Sequence, residues 1–212
     1  MPNGTFTITA PPGTDIWRKP PSTNRRVHRP RHQLITLLTH PSSFNAPTLS
    51  LLSDSEPVPL KSFQRARITL ASPWTTRYDQ GGLLLHATHP SQQDRWLKTG
   101  IEFYQSRPYL STVATLTYSD WSVAAPSDGA VGASVTVEVR RESDELGTSL
   151  WVYEVVGGEE RPLRECTWWF AEEDDGWVVD VRAMAARPAE KESVVGAEGL
   201  VVSFSGAEVE VK

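Results

Sequence analysis

A period of two recurs along this chain, while a helical period of 3.6 is scarcely to be found. FQRARITL (Phe63–Leu70) and SVTVEVRR (Ser134–Arg141) alternate apolar and polar residues, the pattern of a strand with one face in a core. Between turn signals lie further short runs: FTITA (Phe6–Ala10), DIW (Asp15–Trp17), WLKTGIEFY (Trp96–Tyr104), LWVYEVV (Leu150–Val156), WVVDVRAM (Trp177–Met184), LVVSF (Leu200–Phe204) and Val209–Val211. GGLLLHA (Gly81–Ala87) is apolar almost throughout, as where both faces are covered. YLSTVATLTYSDWSV (Tyr109–Val123) and RECTWWFA (Arg164–Ala171) also read as strand. LITLL (Leu34–Leu38) is a stray strand candidate, and Ala183–Val195, which contains Pro188, reads as a loop. About ten or eleven strands of this kind predict an all-β chain of two antiparallel sheets packed face to face.

The 212 residues are expected to form a single domain. Eight tryptophans exceed what a chain this size needs for packing, so most belong to the core and one or two are left for a ligand. Cys166 is the lone cysteine, which suits a reducing compartment and reads as a small buried hydrophobe. The first residues lack a basic segment followed by an apolar run, and no apolar stretch approaches 18 residues. The expectation is a cytoplasmic protein without a membrane partner. Residues 1–70 carry a formal balance of +6 and residues 71–212 one of -11. An acidic body of this kind argues against nucleic acid as a partner, because phosphate neutralisation needs a basic face. The acid-free stretch 24–43 reads as a basic inserted loop, with His28, His32 and His40 in it.

Trp96–Tyr104 carries the most chemistry. Strand alternation sends Leu97, Thr99, Ile101 and Phe103 to one side, a core face, and Trp96, Lys98, Gly100, Glu102 and Tyr104 to the other. Lys98 and Glu102 stand roughly 13–14 Å apart along the strand, so each requires a cross-strand partner, water or a ligand. On a concave face the rings would stack on sugars and the charges bond hydroxyls; on a convex one they form a solvated surface. Asp120 and Trp121 of a neighbouring strand, and His86, complete the ligand-binding candidates.

The runs Thr75–Ala87, Arg95–Thr115, Ser119–Val123 and Thr148–Phe170, with TDIWRKPP (Thr14–Pro21) and FNAPTL (Phe44–Leu49), resemble the regulation-of-enolase-protein family. The resemblance implies a concanavalin A-like jelly-roll β-sandwich, similar to lectins and glucanases. It also implies a cytosolic, non-catalytic regulator or interaction protein of carbohydrate metabolism, with enolase or another metabolic protein as partner. The roughly twenty residues between the WRKPP and FNAP elements depart from the family pattern. The alternative is a carbohydrate-binding domain, or a non-hydrolytic enzyme acting on a sugar derivative, with a sugar as ligand.

Catalysis by hydrolysis has little in its favour. Glucanases of this fold place acids alternately on one strand, and neither ESDEL (Glu142–Leu146) nor EEDDG (Glu172–Gly176) has that spacing; both read as acidic turns. His86 and His89, with Asp79 or Asp94, are the nearest approach to a metal set, but a spacing of three puts the histidines on opposite strand faces. No nucleophile elbow and no phosphate-binding glycine loop is present. Neither a metal nor a cofactor is expected.

Overall fold

The computed structural model describes residues 4–20, 42–127, 134–189 and 199–212. The strands among them are β1 (Phe6–Ala10), β2 (Ile16–Trp17), β3 (Ser43–Phe44), β4 (Thr48–Ser50), β5 (Val58–Pro59), β6 (Phe63–Ala71), β7 (Gln80–Thr88), β8 (Arg95–Tyr104), β9 (Arg107–Thr115), β10 (Ser119–Ala124), β11 (Val135–Asp144), β12 (Gly147–Val156), β13 (Glu159–Cys166), β14 (Val178–Ala186) and β15 (Leu200–Val211). Six form one sheet in the order β1-β15-β6-β11-β12-β13, and a seven-stranded sheet runs β10-β9-β8-β7-β14-β4 with β5 beside β14. All strand pairings are antiparallel. The fold is an all-β jelly-roll sandwich. Most of the basic stretch 24–43, including His28, His32, His40 and Leu34–Leu38, lies outside the described residues.

Alternation builds the core. From β6 come Phe63, Ala66, Ile68 and Leu70, from β7 Leu83, Leu85 and Ala87, from β8 Leu97 and Ile101, and from β11 Val135, Val137 and Val139, all buried between the sheets. β7 is covered on its other face as well, where Leu84 packs in a second apolar cluster with Ile16, Trp96, Met184 and Ala186.

Two expected strands are corrected. Tyr109–Val123 is not continuous, because the chain turns at 116–118 and returns as β10, pairing Ser119 with Thr115. Nor does Arg164–Ala171 form one strand. β13 ends at Cys166, and the chain then coils through i→i+3 bonds from the Trp169 amide to the Cys166 carbonyl and from the Ala171 amide to the Trp168 carbonyl. Coiling lets the consecutive Trp169 and Phe170 both be buried, which alternation along a strand would forbid.

At the centre of the seven-stranded sheet Gly82 of β7 faces Gly100 of β8. A Cβ built on Gly100 would lie 2.0 Å from the Gly81 carbonyl oxygen and 2.6 Å from the Gly82 Cα. Backbone cannot retreat from such a contact without parting the two strands. Gly100→Ala is expected to lower the unfolding free energy by about 3 kcal/mol, the upper end of the overpacking range, as read from urea denaturation midpoints at constant m-value. An unchanged midpoint would refute the close-approach account.

Candidate functional site

The outer face of the seven-stranded sheet is crossed by the chain's own N-terminal segment. Pro12 bridges Arg187 just past the end of β14, and the Thr14 amide bonds the Arg187 carbonyl at 3.2 Å. The segment then passes over the sheet as β2, with Ile16 fully buried beneath it. It reaches β10, where Arg18 and Ser119 exchange bonds of 2.8 and 2.9 Å. β3 pairs with β2 alongside. This strap is anchored by buried polar contacts: Asp79, with no exposed surface, accepts 2.8 Å bonds from Arg187 Nε and Nη2 on its two oxygens, and Arg187 N bonds Thr14 Oγ1 at 3.0 Å.

The strap divides the sequence-predicted residues into two groups. On one side lie Trp96 and His86. Trp96 was expected to be free for a ligand and is instead 2 % exposed: the Arg18 guanidinium lies 4.1 Å above its ring and Phe44 packs edge-on at 5.2 Å. His86 lies under Phe44 at 4.6 Å, with its Nε2 2.8 Å from Asp94 Oδ2. Asp94 also takes Arg18 at 2.6 Å. His89 points elsewhere, to the Asp175 carbonyl and Trp177, and Asp79 is engaged with Arg187. The four residues therefore do not converge, and no cluster of three metal-ligating side chains occurs among the described residues. Asp120 falls on the inner side of β10, across from Ala114, and approaches Arg164 at 3.7 Å. Cys166, buried nearby, has its thiol pushed up to about 11 by burial, which holds it in the neutral form.

On the other side Lys98, Glu102, Tyr104 and Trp121 do come together, beside the facing pair Gly82 and Gly100, where a small hollow is lined by Gln80, Gly81, Lys98, Gly100 and Ser111. Lys98 Nζ donates to Gln80 Oε1 at 2.6 Å and to Asp15 Oδ1 of the strap at 3.3 Å. Glu102 accepts from Ser111 Oγ at 2.8 Å, and Ser111 Oγ accepts from the Trp121 indole at 3.0 Å. As the strand spacing required, lysine and glutamate each find cross-strand partners rather than one another. Tyr104 stacks with Tyr78 at 5.8 Å and meets Trp121 edge-on at 5.3 Å, while the Arg77 guanidinium lies 4.5 Å above Tyr78. Tyr78 holds a backbone φ of 69°, fixed by a 2.7 Å bond from its amide to the Phe103 carbonyl. Such a conformation is uncommon for a residue with a side chain, and here it forms the turn that leads into β7.

Asp15, Gln80, Ser111 and Tyr78 were missed by the sequence reading. Gln80 and Ser111 lie on the same sheet face as Glu102 and Gly100, but only the register that pairs Gln80 with Glu102 and Gly100 with Ser111 reveals it. Lys98 and Glu102 are both nearly buried. Burial pushes the Glu102 carboxyl above its ordinary range, opposed by Lys98 and by hydrogen bonding from Ser111 and Trp121, with Asp15 adding to the rise. A carboxyl whose folded pKa exceeds its unfolded one holds more protons when folded, so stability falls as pH rises from the unfolded toward the folded value. Glu102→Gln removes that dependence. The wild type is expected to lose stability relative to this variant as pH rises through and above the usual glutamate range, measured by urea midpoints at a series of pH values; parallel profiles would contradict the raised carboxyl.

Comparison with known proteins adds family and fold. The family model described as "Protein of unknown function (DUF1349)" matches residues 1–212. An uncharacterized protein of Emericella nidulans is 42% identical over 208 residues, 97% of this chain and 86% of that protein. A functionally unknown protein from Saccharomyces cerevisiae superposes with a TM-score of 0.59 at 20% identity, covering 99% of this chain and 89% of its own. A pseudo beta-1,3-glucanase and immunostimulatory antigen of Mycobacterium tuberculosis superposes with a TM-score of 0.46 at 9% identity, covering 100% of this chain and 92% of that one.

Proposed function

Since the chain belongs to the DUF1349 family of proteins of unknown function, its own geometry is the guide, and we propose that the Gly82/Gly100 hollow recognises a saccharide or sugar derivative without hydrolysing it. The observation that carries this reading is a buried ammonium and a buried carboxyl flanking a side-chain-free floor beside a cluster of aromatic rings. Rings supply apolar faces for pyranose C–H surfaces, while Lys98, Gln80, Glu102 and Ser111 supply donors and acceptors for hydroxyls. Hydrolysis asks for two carboxyls working together across the bond. Asp15, the acid nearest Lys98, already accepts from Lys98, Gln80 Nε2 at 3.2 Å and the Ile16 amide at 2.7 Å.

The role of cytoplasmic regulator or interaction partner of enolase is a second proposal. It draws on the resemblance alone, and capture of enolase from lysate at a fixed ratio tests it.

A glycan array followed by titration of tryptophan emission tests the first. Trp121→Ala is expected to weaken the binding of an array-positive sugar about tenfold or more, a loss of about 1.4 kcal/mol. Trp151→Ala alters the outer face of the other sheet, where Trp151 stacks on Tyr153, and is expected to leave binding intact. Silence across the array would end the proposal.

A further inference from the structure

The strap closes one end of the row that holds the hollow. It starts beside Arg187, level with Asp79 at one end of the sheet, and finishes at Ser119, level with Trp96. It therefore runs diagonally over the face. Along the row that holds the hollow, Gly82 is followed on the β14 side by Met184, which is 2 % exposed and packed with Ile16 of the strap. Beyond it β4 pairs with β14, and Ala46, in the segment joining β3 to β4, packs on the same apolar cluster. Toward β10 the same row passes through Gly100 and Ser111 and ends at the exposed Val123, with the Trp121 indole bonded to Ser111 Oγ from the neighbouring row, whereas toward β14 it is closed where Ile16 of the strap packs on Met184. The floor itself is small, with room of about 10 Å³ for a single water-sized group between Lys98, Gln80, Ser111 and Met184.

Resting on the saccharide reading above, we propose that this site is a dead end that takes the terminal residue of a saccharide, presented from the β10 edge, with one hydroxyl-bearing group seated in the hollow. It does not thread the interior of a polymer. Length added beyond the terminal residue then projects past β10 into solvent and gains few contacts. The end of the chain that enters is distinguished from the other.

Calorimetric titration of the full chain decides this, with methyl glycosides of glucose, galactose and mannose and the di-, tri- and hexasaccharides of each as probes. For whichever series binds, Kd is expected to fall by less than about threefold from disaccharide to hexasaccharide, well under 1.4 kcal/mol. Oligosaccharides blocked at one end, by a reducing-end fluorophore or by a non-reducing-end substituent, are expected to lose about tenfold or more for one block and nothing for the other. Affinity that climbs steadily with length, together with indifference to both blocks, would overturn the dead end and leave saccharide binding standing. Absence of binding by every probe, on a protein whose array is also silent, would overturn both.

Discussion

An ammonium group cannot be buried alone. Lys98 is 5 % exposed on the outer face of a sheet, where desolvation of an unpaired charge would cost several kcal/mol. Its partners come from two other parts of the chain, Gln80 on the neighbouring strand and Asp15 on the N-terminal strap. One pairing requirement thereby ties together β7, β8 and a segment 83 residues away in sequence. With the strap in place Ile16 closes over Leu84, Trp96 and Met184, and a second small apolar cluster forms outside the main core. The seven-stranded sheet is in consequence apolar on its inner face and, under the strap, apolar again on its outer one.

Much of this was legible as pattern. FTITA is β1 residue for residue, and the near-continuous apolar run Gly81–Ala87 announces a strand covered on both sides. In Trp96–Tyr104 alternation correctly sends Leu97 and Ile101 into the main core and Lys98 and Glu102 to the opposite face. The coarse architecture follows because period-two alternation is local information. A strand's own residues state which of its faces is apolar.

What covers an outer face is not local information. Trp96 looked available because nothing within its own strand covers it, yet Arg18 and Phe44 arrive from distant sequence to bury the ring. The hollow was hidden for a related reason: Gly82 and Gly100 become a floor only in the register that sets them opposite each other. Trp168–Phe170 misled in the reverse direction. A bulky aromatic run has high strand propensity, but three consecutive large apolar side chains cannot all face inward from a strand, and burial of Trp169 and Phe170 together favours a coil.

The two outer faces of the sandwich show why one of them holds the candidate site. On the six-stranded sheet Glu138, 1 % exposed, is flanked by Arg65 and Arg140, each at 3.4 Å. Arg140 continues to Glu142 and Glu160 at 2.6 Å, and Tyr153 donates to Glu142 at 2.6 Å. Charge there is matched by charge along the sheet, and the long side chains lie flat across one another. On the seven-stranded sheet the polar groups stand around two residues without side chains, and Lys98 and Ser111 line a hollow with room for a single water-sized group. On the proposed saccharide reading, a glycine floor beside a carboxyl that burial holds partly against its ionisation suits a hydroxyl that can both donate and accept.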